Sequence, residues 1–148
     1  GTGITHSEMN ANADKPVKFL QIWVLTRKNG IQPLYQQITI ADQAKPNDFQ
    51  QILSPNADDD GVWIHQDAWF SLANFDKDTS RYYQIKKSGN GVYVFVIKGS
   101  ANIGDRHLGE RDGLGIWDVD GFELTAASDA QIFLMAVPMD IAPNTNQP

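Results

Sequence analysis

The sequence predicts an all-β sandwich or barrel, on three observations. Short runs rich in valine, isoleucine and aromatic residues recur along the chain, which is the composition of strands. Clusters of Gly, Asn, Asp, Ser and Pro separate them at short spacing, and these are turn formers. Nothing reads as a long helix, so packed sheets are the layered architecture left.

In chain order, residues 3–9 read as a strand and 10–16, with Asn, Asp, Lys and Pro, as a loop. Residues 17–26 (VKFLQIWVLT) form the strongest early strand, apolar on both faces and so expected to be covered on both sides. Asn29-Gly30 marks a turn. It either joins 17–26 to a strand at 34–40 as a hairpin or links two domains. Residues 49–53 are a short strand stopped by Ser54-Pro55. Residues 56–61 (NADDDG) are a turn; EF-hand spacing and a closing glutamate are absent, so a solvated turn is preferred to calcium binding.

Short strands follow at 62–65, 68–75 and 81–86, then a hairpin signal at Ser88-Gly89-Asn90-Gly91. The run 92–98 (VYVFVIK) is the most β-prone in the chain. A brief strand at 101–103 precedes a loop holding Asp105, Arg106 and His107, and strands at 114–118, 122–126 and 131–137 complete the set. The four tryptophans, Trp23, Trp63, Trp69 and Trp117, are expected in the core.

The 148 residues suffice for one domain with a sizeable core. Twelve basic against eighteen acidic residues give a net charge of -6, which argues against nucleic-acid or anionic-membrane surfaces. With no cysteine, disulfides and thiolate metal sites are excluded. No apolar run reaches the roughly 18 residues of a membrane span. A cytoplasmic protein is expected.

The chemistry sits at the start, in Gly3-Ile4-Thr5-His6-Ser7-Glu8. Alternate side chains of an extended chain point the same way, so His6 and Glu8 share one side, about 7 Å apart along the backbone. An imidazole nitrogen with a carboxylate oxygen suits Fe, Mn, Ni, Cu or Zn. Two donors hold such an ion poorly, and a His-x-Glu pair on an exposed face also arises by chance. His65 and His107 read as a hydrogen-bonded structural histidine and a solvent-facing loop histidine.

These segments resemble the pirin-like bicupin family, in its bacterial, YhhW-like quercetinase branch. The likeness runs from Gly3-Ile4-Thr5-His6-Ser7-Glu8 through Phe19-Leu20-Gln21-Ile22-Trp23, Leu53-Ser54-Pro55 and His65-Gln66-Asp67. It continues in Val96-Ile97-Lys98-Gly99 and Asp112-Gly113-Leu114-Gly115-Ile116-Trp117. The resemblance implies two cupin β-sandwiches in one chain, the first holding one metal, usually iron, on three histidines and a glutamate. His6 and Glu8 match the third histidine and the glutamate as metal ligands. The earlier His-x-His pair has no counterpart here, and the second cupin of the family usually lacks ligands.

The resemblance therefore divides the chain into a remnant of the first cupin (1–30), the second cupin (31–138) and a flexible tail (139–148). The implied activity of the longer parent is metal-dependent quercetin 2,3-dioxygenation, with ring cleavage, loss of carbon monoxide and Glu8 as catalytic base. The ion would be iron, or else Ni, Cu, Mn, Co or Zn. This chain alone is expected to be inactive. The alternative is a metal- or redox-sensing interaction protein or transcription coregulator. A homodimer is expected from the apolar 17–26 stretch, whose cover the early strands of the first cupin would supply.

Overall fold

The computed structural model describes residues 2–140. Among the described residues, ten strands build two sheets. In chain order they are β1 (Phe49–Ser54), β2 (Val62–Trp63), β3 (Trp69–Phe75), β4 (Ser80–Gln84), β5 (Asn90–Lys98), β6 (Ala101–Ile103), β7 (Arg106–Leu108), β8 (Gly113–Ile116), β9 (Gly121–Ala126) and β10 (Ala130–Pro138). The six-stranded sheet runs β2-β1-β3-β10-β5-β8, and the four-stranded sheet runs β4-β9-β6-β7. This is the two-sheet β-sandwich that the sequence predicts.

The core lies between the sheets, and the period of two sets which side chains enter it. On β5, Val92, Val94 and Val96 point inward and are at most 2% exposed. Ile132, Leu134 and Ala136 of β10 do the same, in register with Val96, Val94 and Val92. From the facing sheet come Tyr83, Phe122 and Leu124. Phe49, Phe75, Tyr83 and Phe122 form a chain of tilted and edge-on ring pairs with centroids 5.1 to 5.5 Å apart, geometry that adds to area burial.

The intervening residues of the same strands face outward and are apolar too. Phe70 and Phe133 meet edge to face at 5.5 Å, with Leu72, Phe95, Ile97 and Met135 around them. The large sheet is therefore apolar on both faces, as a sheet covered on both sides is.

Several expected elements differ. Residues 3–9, 17–26 and 34–40 form no strand, and no hairpin forms at Asn29-Gly30. The apolar composition of 17–26 marks a different role. Val24 packs on the outer face of the large sheet. Phe19, Leu20 and Ile22 line an apolar groove of about 520 Å³ with Phe70, Leu72 and Phe133. Far from being covered on both sides, Trp23 is 86% exposed and Leu25 76%.

Ser88-Gly89 leads from the small sheet (β4) to the large one (β5), so it is a crossing between sheets and not a hairpin. Arg106 to Leu108, expected in a loop, pairs with β6. Of the tryptophans, Trp69 packs against the core from a half-buried position, whereas Trp117 is 56% exposed and Trp63 is half-buried outside that cluster. Asp59 of the 56–61 turn accepts from the Ser54 hydroxyl at 2.9 Å and from Asn56 Nδ2 at 3.1 Å, so its carboxylate holds the turn together. The end of the expected tail, 141–148, lies outside the described residues.

Candidate metal-ligand site

The stretch carrying His6 and Glu8 has no regular secondary structure and joins no sheet among the described residues. It is held near its start by the Thr2 amide donating to the Ile31 carbonyl at 3.1 Å. Beyond it the chain turns at Asn10, whose Oδ1 accepts from the Asn12 amide at 3.0 Å and whose Nδ2 donates to the Lys15 carbonyl at 2.6 Å. This is the local side-chain turn that asparagine favours.

The chain nonetheless brings the two side chains together. His6 Nε2 and Glu8 Oε1 are 3.7 Å apart, with side-chain exposures of 63% and 58%. Two donors each about 2.1 Å from one ion stand roughly 3 to 3.5 Å apart. The observed pair is close to that spacing and faces open solvent. The nitrogen and oxygen donors suit a divalent transition metal. They make only part of a donor set, however, because a closed site takes about four donors and a catalytic one about three. Among the described residues, no group of three or more His, Cys, Asp or Glu side chains comes together to hold an ion.

The two remaining histidines stand elsewhere. His65 packs against Trp63 with ring centroids 4.5 Å apart and the ring planes tilted by 60°. Its carbonyl accepts from the Arg27 amide at 2.9 Å. His107 lies on β7, its Nδ1 2.8 Å from Asn102 Oδ1 on the paired strand.

Residues that the sequence reading left without a role fasten the early segment to the sandwich. Arg27 Nη1 donates to Asp67 Oδ1 at 2.7 Å, and the Lys87 ammonium bonds the other carboxylate oxygen. The Lys87 hydrogen bond, with Lys87 and Arg27 charge behind it, holds the Asp67 carboxyl below the usual carboxylate range against a smaller opposing effect of burial. Gln66 Nε2 adds a bond to the Leu25 carbonyl at 2.8 Å, and Asn90 Nδ2 donates to the Asp67 carbonyl at 2.9 Å. Arg27 and Asp67 are 40 positions apart, so no local spacing signals the pair.

The structural class is that of a pirin-like cupin sandwich. YhhW from Escherichia coli superposes with a TM-score of 0.71 at 31% identity over 78% of this chain and 48% of that one. The nickel(II) complex of the same bacterial pirin superposes at 0.69, with the same identity and coverage. A family profile described as the quercetinase C-terminal cupin domain matches residues 51–137, and the chain belongs to that family. The quercetin 2,3-dioxygenase of Escherichia coli K12 is 35% identical over 139 residues, which is 93% of this chain and 58% of that protein. The chain thus spans somewhat over half the length of the curated relatives it matches. No helix among the described residues is long and apolar enough to cross a membrane.

Proposed function

We propose that this chain is the C-terminal part of a metal-dependent quercetin 2,3-dioxygenase, a cytoplasmic protein in which His6 and Glu8 are two of the metal ligands. The observation carrying this is the 3.7 Å pairing of His6 Nε2 with Glu8 Oε1, in a chain of the quercetinase family. The nickel(II) complex of the related pirin supports a divalent ion; iron is the ion expected here. The remaining donors would come from residues outside this sequence. Residues 1–30 are then the end of a first cupin, 31–138 the second, and 139–148 a tail. The family match at 51–137 falls inside the second unit.

A bound divalent ion supplies Lewis acidity and positions for a chelating substrate and dioxygen. Quercetin's 3-hydroxyl and 4-carbonyl make such a chelate. Glu8, paired with His6, is placed to take the hydroxyl proton as general base, a role worth typically 10² to 10⁴ in rate. His6 orients one donor beside it. The chain alone, with two donors, is inactive in this reading.

Glu8→Gln in the parent-length protein, loaded with a divalent metal, is expected to lower kcat for quercetin by about 10² or more. His6→Ala is expected to lower metal content as well, measured by elemental analysis. Full activity in both variants would overturn the assignment of His6 and Glu8. A parent-length protein that never consumes quercetin with any of several divalent metals would remove the dioxygenase reading itself.

A second reading, of a metal- or redox-sensing interaction protein, is favoured by the apolar side chains of 17–26 exposed beside the outer groove. The same surface supports a homodimer of the 148-residue chain. Metal-indifferent pull-downs would count against the sensing role.

A further inference from the structure

Asn-Gly occurs twice in the chain, at Asn29-Gly30 and Asn90-Gly91, and the fold treats the two copies in opposite ways. Asn29 and Gly30 are both exposed in a turn where Gly30 has a φ of 68°. A methyl group placed on Gly30 would meet nothing within 4 Å, so the surroundings are open. Among the described residues, no backbone carbonyl accepts from the Gly30 amide. Asn90, by contrast, is 4% exposed. It opens β5, an internal strand, opposite Pro138 of β10. Its Nδ2 is held by the Asp67 carbonyl at 2.9 Å.

We propose that Asn29 is a site of spontaneous covalent modification, at which its carboxamide is lost to an aspartyl or isoaspartyl linkage while Asn90 is protected. The Gly30 amide nitrogen bonds to Asn29 Cγ, and the Cγ–Nδ2 bond breaks. Ammonia leaves, taking up the proton given by the Gly30 amide. Water then opens the five-membered imide at either carbonyl. The balance is one water consumed and one ammonia released, with no oxidant or reductant. Glycine favours the step because it carries no Cβ to obstruct the approach and leaves the backbone free to adopt the required dihedrals. At Asn90 the ladder fixes the backbone and the carboxamide is occupied, so ring closure waits for the strand to open.

The location gives the change a consequence. The new carboxylate arises two residues from Arg27, whose guanidinium holds Asp67 at 2.7 Å. The isoaspartyl form also adds a methylene to the main chain between the His6–Glu8 segment and the sandwich. That point is two residues before Ile31, whose carbonyl receives the Thr2 amide.

The test is to hold the full 148-residue chain in warm, mildly alkaline buffer, native and in denaturant, and to map both peptides by mass spectrometry with isoaspartyl labelling. In the native chain, position 29 is expected to convert and to produce an acidic charge variant. Position 90 is expected to react at least about a hundredfold more slowly, as reaction through strand opening requires. In denaturant the two positions should react at similar rates. Asn29→Gln should remove the acidic variant while leaving the circular dichroism spectrum unchanged. The proposal is overturned if native Asn90 converts as fast as Asn29. It is equally overturned if native Asn29 stays intact over a period in which the denatured chain converts.

Discussion

At the scale of single residues, Tyr83 is the odd member of the core. It is 3% exposed, packed between Phe49 and Phe122, and its hydroxyl has no hydrogen-bond partner among the described residues. Ser71 lies near without making a bond of proper geometry. A buried hydroxyl left unpaired forfeits about 1–3 kcal/mol of solvation. Tyr83→Phe is therefore expected to be neutral or to stabilise by about 1 kcal/mol in urea unfolding; a clear loss of stability would show that the hydroxyl is bonded after all. Burial also raises the Tyr83 pKa above its ordinary value of 10.0. The folded chain then holds this proton more tightly than the unfolded chain does. Stability contributed by Tyr83 is complete below pH 10 and falls as pH rises through the raised pKa. The phenylalanine variant should show a flatter stability profile in that alkaline range.

At the scale of elements, legibility followed the amount of information each run carried. The run 92–98 was legible as a strand because β-branched and aromatic residues fill it. Its two sets of side chains, Val92, Val94 and Val96 against Tyr93, Phe95 and Ile97, serve the two faces of a central strand. The run 17–26 has the same composition but joins no sheet among the described residues; it lies across the outer sheet face and is tied down through Arg27. Composition alone does not separate a strand inside a sheet from a strap laid over one, because both satisfy the same apolar surface. The short β7 escaped notice because three residues, two of them charged or polar, carry no strand signal.

The links between elements rest on few atoms. Gly99, between β5 and β6, has a φ of 79°, and a Cβ there would stand 2.1 Å from the Asp129 carbonyl oxygen. Gly99→Ala is expected to cost about 2–3 kcal/mol, from combined dihedral strain and overlap. Chemical denaturation measures it, and an unchanged midpoint would mean that the crossing between sheets deforms freely.

At the scale of the whole molecule, the fold class was legible and the site only in part. His6 and Glu8 were marked by their spacing and do stand together, 3.7 Å apart. The ion-pair network that anchors the early segment was not legible, since it joins residues 20 and 40 positions apart. The exposed strap and groove carry a molecular prediction. Trp23→Lys and Leu25→Lys together should shift the 148-residue chain toward monomer in sedimentation, with the sandwich intact. The unsubstituted 148-residue chain running as a monomer at high concentration would remove the basis for self-association.

The last strand of the sandwich, β10, is also the one at the middle of its large sheet, flanked by β3 and β5. During synthesis the chain emerges with its two neighbours already made but with no partner between them. Long-range pairing of this kind is slow and leaves open edges meanwhile. Consolidation of the large sheet thus awaits clearance of residue 138 from the ribosome exit tunnel, and until then β3 and β5 each keep an open edge.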